Sequence, residues 1–322
     1  MSQLRTPTLL ATAVAALALA APVSATPRPD PPTAAAFEQA TQALLRGGEL
    51  NRAAMRGGGI GTGSPGSSAG RDLFANRRLL NLYGAPQLSA TILGRLGPAA
   101  AARKAARQAR PYARIGDRPV IPGLDLIAVV ANSTPGSDGL YRTRQPVRLI
   151  RAYLRAARSV GGRLTLDIQP GRARVSDEVR ALERWIAKPN VDVAIDPEWE
   201  VGRRGVPGRT VGKIRAREIN RVSRRIQAIV DAEELPPKAL VVHQFRRGSV
   251  RGRRQIRQRR DVAVTLNFDG IGSPAAKRAG YLALRSPKAF DGFSIFYSLD
   301  TRVMSPRSVL GLEPAPDFLL FQ

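Results

Sequence analysis

Residues 191–198 read VDVAIDPE. In an extended chain successive side chains point to opposite faces. Val191, Val193 and Ile195 therefore share one face, and Asp192, Ala194, Asp196 and Glu198 share the other. One face is bulky and apolar. The other is small, then acidic, with polarity rising toward the C-terminal end. Two more stretches repeat the pattern. In RLTLDIQ (163–169) Thr165, Asp167 and Gln169 oppose Leu164, Leu166 and Ile168. In DVAVTLNFDG (261–270) Ala263, Thr265, Asn267 and Asp269 oppose Val262, Val264, Leu266 and Phe268.

Further strand-like runs are RLLNLYG (78–84), PVIPGLDLIAVV (119–130), KALVVHQF (238–245), GFSIFYS (292–298) and DFLLFQ (317–322). Helical patterns lie between the eight runs, at 98–110, 145–160, 176–187, 216–234, 248–258, 273–284 and 305–311. Ser176 is placed to cap the third of these. Strands alternating with helices argue for a parallel sheet with helical crossovers. Eight such units in about 245 residues match a closed barrel. The expected fold is α/β, a (β/α)8 TIM-type barrel over residues 76–322 that ends at its eighth strand. A doubly wound open sheet lacks its G-x-G-x-x-G after the first strand.

The segment before residue 76 has another character. Arg5, the apolar run Leu9–Ala21 and the small residues Val23-Ser24-Ala25 form a secretory signal peptide pattern over 1–25, cleaved near Ala25. Residues 26–75 are rich in Pro, Gly and Ser and read as a disordered, flexible linker. No other apolar run is long enough for a permanent membrane span. The expected location is secreted or cell envelope. The chain has no cysteine, which excludes disulfides, Cys-ligated zinc and a lipid-modified cysteine. Its single histidine excludes His-rich zinc or iron sites. No metal site and no cofactor is assigned, though acid-rich oxygen sites could take Ca2+ or Mg2+.

Fifty-one Lys and Arg against 25 Asp and Glu give a formal charge of +26. Only six of these cations are Lys, and the Arg bias fits a GC-rich genome. RRGSVRGRRQIRQRR (246–260) concentrates the charge. It reads either as a solvated surface or as a positive rim that holds anionic wall polymers through Arg251, Arg253, Arg254 and Arg257. Export and the lack of interleaved aromatics argue against nucleic acid.

In (β/α)8 barrels the functional site lies at the C-terminal ends of the strands. Inward parity there gives Tyr83, Asp125, Asp167, Gln169, Asp196, Glu198, His243, Asn267, Asp269 and Gln322. The seventh strand leaves Phe296 and Tyr297 open. Tyr83, Trp199 and Tyr297 could stack on sugar rings, and Glu200 reads as a loop acid.

The stretches LTLDIQPGRA, DVAIDPEWEVG, PGRTVGKIRAREINRVS, ALVVHQF, VTLNFDGIG, IFYSLDTRVMSPRSVL and PDFLLFQ resemble an exported actinobacterial family of uncharacterised TIM-barrel-like proteins, many of them labelled lipoproteins. This chain has no cysteine for such an anchor. Asp196-Pro197-Glu198 at the fourth strand end resembles the D-x-E of family 18 and family 25 glycoside hydrolases, in which the Glu donates the proton and the Asp assists. The longer family 18 pattern is not met, because Ala194 stands where an acid is expected. These likenesses imply an exported protein that acts on a cell-envelope or environmental polysaccharide, with Glu198 and Asp196 as the catalytic pair. The alternatives are a non-catalytic glycan- or ligand-binding barrel and a basic surface scaffold.

Overall fold

The computed structural model describes residues 71–322. Eight parallel strands close into a barrel: β1 (Arg78–Gly84), β2 (Val120–Ala131), β4 (Arg163–Ile168), β5 (Val191–Ile195), β7 (Lys238–Gln244), β9 (Val262–Phe268), β10 (Phe290–Ile295) and β11 (Phe318–Phe321). Each pairs with the next. The ring closes where β1 pairs with β11, Leu79 beside Phe318 and Leu82 beside Phe321. Three short strands lie outside it. β3 (Arg142–Arg144) folds back antiparallel onto the end of β2, and β6 (Ile214–Arg215) pairs with β8 (Val250–Arg251).

A short helix, α1 (Arg71–Ala75), precedes the barrel, and the others form the outer layer: α2 (Ile92–Arg95), α3 (Pro98–Ile115), α4 (Val147–Arg158), α5 (Val175–Ala181), α6 (Glu183–Ile186), α7 (Ala216–Ala232), α8 (Pro274–Leu284) and α9 (Pro306–Leu310). The strand parity read from sequence sorts two apolar clusters. Leu164, Leu166, Val191, Val193, Leu240, Val242, Val262 and Val264 pack outward against Tyr153, Ile186, Ile226 and other helix residues. Ala194, Ala239, Val241, Ala263, Phe290, Phe318 and Leu320 pack inward. Small inward residues make space for large ones. A Cβ on Gly123 would collide with the Asn81 amide, which passes over β2 and donates to Thr165 Oγ1 of β4 at 2.7 Å. A Cβ on Gly292 would meet Asn267 in the same way.

Four expectations need correction. First, the linker does not run to residue 75. Helix α1 sends Leu73 and Phe74 into the inner cluster, where the Phe74 and Phe290 rings lie 5.1 Å apart. Arg118 Nη1 donates to the Phe74 carbonyl and fixes this plug. The signal peptide pattern and residues 26–70 lie outside the described residues. Second, 248–258 is not a helix. Gly252 adopts φ 73°, a left-handed conformation that breaks the repeat, and only a 3-10 turn follows at Arg253–Gln255. Third, 176–187 splits into α5 and α6 at Leu182, and the helix begins at Val175, so Ser176 is no cap. Fourth, α3 runs through Pro111 to Ile115. Pro removes one helix hydrogen bond and usually ends the element. Here burial of Tyr112 on the barrel carries the helix onward.

Both apolar side chains of the plug are buried, so the fold should depend on them. Phe74→Ala is expected to cost about 3 kcal/mol. Urea denaturation of the two forms measures this, and equal midpoints would show the plug to be dispensable.

Candidate functional site

The lower half of the barrel interior neutralises its charge. Asp192, which parity groups with the site acids, lies there rather than at the mouth. Arg163 grips it in a fork, with Nε at 2.6 Å and Nη2 at 2.7 Å, and the Ala239 amide donates to Oδ1 at 2.8 Å. The upper half is different. Asp125, Asp167, Asp196 and Glu198 form no salt bridge among the described residues.

His243 at the end of β7 and Asp269 just past β9 form an ion pair at this mouth. His243 Nδ1 lies 2.7 Å from Asp269 Oδ2. Asp269 accepts twice more, from Asn267 Nδ2 at 2.6 Å and from the Ser294 hydroxyl. Asn267 Nδ2 also reaches Ser294 Oγ at 2.7 Å. Burial alone would pull the His243 pKa down. The Asp269 carboxylate, with Asp167 and Asp196 beyond it, outweighs burial and raises it well above its ordinary value. The imidazole is thus a cation whose Nε2 has no hydrogen-bond partner. Its ring centroid is 6.1 Å from that of Tyr83.

Gln169 organises the opposite wall. The Ala131 amide donates to its Oε1 at 3.1 Å. Its Nε2 donates to the Tyr83 hydroxyl at 3.2 Å and lies 3.5 Å from Asp196 Oδ2. Tyr83 Oη is 3.5 Å from the same oxygen. Burial, then the charge of Asp167, pushes Asp196 up to about 8, against the pull of His243. Burial pushes Asp167 up to about 6, again against His243. Burial, then the charge of Asp167, raises Asp125 well above its ordinary value. All four oxygens of Asp125 and Asp167 are buried without a hydrogen-bond partner.

Glu198 sits above this group. β5 ends at Ile195 and a 3-10 turn, Pro197–Trp199, lifts Glu198 to the rim. Pro197 at the start of the turn supplies its fixed φ. Glu198 is partly exposed, whereas Asp196, Pro197 and Trp199 around it are buried. Burial, then Asp196 and Asp269, raise its pKa well above the ordinary glutamate value. The Gly212 amide donates to the Glu198 carbonyl at 2.6 Å and closes the following loop beneath it.

Parity therefore brings together Tyr83, Asp125, Asp167, Gln169, Asp196, His243, Asn267 and Asp269, with Glu198 on top. Gln322 lies at the same end. Its amide donates to the Ile295 carbonyl at 2.9 Å and its carbonyl accepts from Tyr297 at 3.0 Å. Tyr297 is not in the mouth, which corrects its assignment as a stacking residue. β10 points Phe290 inward, so the odd residues face out. The Tyr297 ring packs 5.5 Å from that of Phe321, and its hydroxyl meets Gln108 of α3 at 3.1 Å. Glu200 is also elsewhere: burial and Glu218 of α7 push it up to about 7. The Arg-rich segment runs down the outer wall. Arg253 donates to the Leu284 carbonyl at 2.6 Å, and the Arg257 amide donates to Asn220 Oδ1 of α7 at 2.9 Å.

Two contributors were missed. Ser294 follows from the inward parity of β10 once Phe290 is placed. Lys277 of α8 leaves no pattern. It is fully buried, bonded to Asp300 at 2.6 Å and to the Ser294 carbonyl at 2.9 Å, with Phe293 and Phe296 on either side. It fixes the backbone that carries the Ser294 hydroxyl. Among the described residues no three acid or histidine side chains have a geometry that could hold a metal ion. No protein-family model matches the chain, and no curated protein matches it in sequence.

The raised pKa of Asp196 makes stability pH-dependent. An unfolded Asp loses its proton near pH 3.9, whereas the folded residue keeps it to about 8. Between these values the folded state binds the extra proton, so stability falls as pH rises. Asp196→Asn removes that titration. The variant should melt above wild type at pH 8, and the gap should shrink toward pH 4. Thermal melts across this range test it. A constant gap would mean that Asp196 is ionised throughout.

Proposed function

We propose that this barrel acts on a cell-envelope or environmental polysaccharide by glycoside hydrolysis, with Glu198 as the general acid. The observation that carries this reading is the position of Glu198. It is the partly exposed member of a buried acid cluster, so a ligand can reach it. Burial, Asp196 and Asp269 raise its proton affinity well above that of an ordinary glutamate. A general acid needs this combination of access and raised pKa. Glu198 gives its proton to the glycosidic oxygen as the bond to the anomeric carbon breaks. Positive charge then grows on the sugar ring. Asp269, pinned by three donors, and Asp167, ionised above about 6, place negative potential near that charge, while Asp196 keeps its proton and holds its place beside Gln169 and Tyr83. Water completes the cleavage and returns a proton to Glu198. His243, Asn267, Gln169 and Tyr83 hold these groups in register, and Trp199 helps to shield the turn from solvent. An N-terminal signal peptide would place the barrel where such polymers are found.

A binding-only reading draws on the same mouth. The unpartnered oxygens of Asp125 and Asp167 and the free Nε2 of His243 suit a lectin-like cup as well as an enzyme. Turnover separates the two readings. Wild-type protein assayed on soluble glycans and peptidoglycan should cleave at least one of them. Glu198→Gln should lower the rate by a factor of about 100 or more while binding persists. The wild-type pH–rate profile should fall on its basic side as Glu198 loses its proton. A Glu198→Gln variant with undiminished turnover would remove Glu198 from the acid role. Binding without turnover in any form would leave the cup as a recognition site.

A further inference from the structure

The charge of +26 is unevenly placed. Between residues 73 and 166 the only acids are Asp117, Asp125 and Asp138. Asp125 is inside the barrel, and Asp117 pairs with Arg78 at 2.5 Å. This region supplies α3 and α4, which pack side by side on the outer wall and contain no acidic residue.

Each helix carries a row of arginines. In α3 these are Arg103, Arg107, Arg110 and Arg114, spaced by four, three and four residues. In α4 they are Arg148, Arg151, Arg155 and Arg158, spaced by three, four and three. Such spacing puts each set on one helix face. The opposite faces are the buried ones: Ala101, Ala105, Ala109 and Tyr112 in α3, and Ile150, Tyr153, Leu154 and Ala157 in α4. All eight arginines are exposed. None joins an ion pair among the described residues, and Arg158 alone has a side-chain partner, Asn190. The far flank contrasts with this. There Arg180, Arg221, Arg225 and Arg260 pair with Asp177, Glu218, Glu183 and Asp231.

We propose that the α3–α4 face is a docking surface for a linear, phosphate-bearing polyanion. At 1.5 Å rise per residue each row is about 15 Å long, with a guanidinium roughly every 5 Å. Packed helices place two such rows about 8–10 Å apart. A chain of phosphates can run along this face and receive forked donors at each step. The face offers little to insert into a bilayer. The exposed large apolar residues of these helices, Ile115 and Val147, sit at their ends. The surface is separate from the mouth, so its occupant need not be the substrate of Glu198.

Long-chain inorganic polyphosphate and the full chain test this by fluorescence anisotropy in a salt series. Wild type should bind, and binding should weaken steeply with salt. Arg103→Gln, Arg107→Gln, Arg151→Gln and Arg155→Gln combined should lower affinity at least about thirtyfold and make the log–log salt slope shallower by about 3. A control removes equal charge elsewhere, with Arg204→Gln, Arg217→Gln, Arg224→Gln and Arg278→Gln combined, all exposed and outside both arginine-rich segments. It should stay within about threefold of wild type, since screened charges outside the contact add little. On wild type, polyphosphate should slow hydrogen exchange at 98–115 and 147–158, a readout that needs no variant. Equal losses in the two quadruple variants would show net charge alone at work and overturn the proposal. So would an unaffected α3–α4 variant, protection elsewhere on the surface, or tighter binding to anionic phospholipid vesicles than to polyphosphate.

Discussion

The pair between His243 and Asp269 sets the electrostatics of the barrel mouth. Asp125, Asp167, Asp196 and Glu198 all feel the charge of this imidazolium, and each would rise further without it. Unpaired carboxylates out of water are costly, and such groups keep their protons instead. Asp196, pushed up to about 8, keeps its proton at neutral pH, whereas Asp167, at about 6, has largely lost its own. Asn267, Ser294 and, behind Ser294, the buried Lys277–Asp300 pair fix Asp269 in place. Removing any of them would disturb the acids on the opposite wall through His243.

The two ends of the barrel treat the same residue type differently. Around the floor, acids have arginine partners: Asp192 with Arg163, Asp291 with Arg285, Asp317 with Arg118. At the mouth, a protein with 51 Lys and Arg sets none of them against Asp125, Asp167, Asp196 or Glu198 among the described residues. Floor pairing satisfies buried charge and closes the structure. Without cationic partners the mouth acids keep raised proton affinities, a clustering common at functional sites.

The eight barrel strands were legible because a two-residue period is visible in one strand at a time. VDVAIDPE and DVAVTLNFDG carry their inside and outside on their face, and the mouth followed from parity alone. What failed involved partners distant in sequence. Asp192 and Asp196 look alike along VDVAIDPE, and only Arg163 on β4 separates them. Tyr297 was ambiguous until Phe290 fixed the facing of β10. Leu73 and Phe74 sit in a stretch of loop composition, and their role appears only against Phe290 and Phe318. Charge is legible only where it forms a block: a run such as 246–260 catches the eye, whereas the acid-free α3 and α4 do not, because their arginines recur every three or four residues.

The pairing of β1 with β11 has a bearing on how the chain reaches this state. Leu79 and Phe318 are neighbours in the barrel wall but 239 positions apart in sequence. Arg78 reinforces the seam by donating to the Pro316 carbonyl at 3.1 Å, as does Arg118 by gripping Asp317. Contacts this remote slow folding, because a long loop must close before they form. Until residues 318–321 are in place, β1 and β10 are open edges with unpaired backbone groups, and such edges recruit other chains. The seam is thus a timing device as well as a joint. Closing it converts two edge strands into interior ones, so the same contact that completes the barrel removes the edges that other chains could pair with.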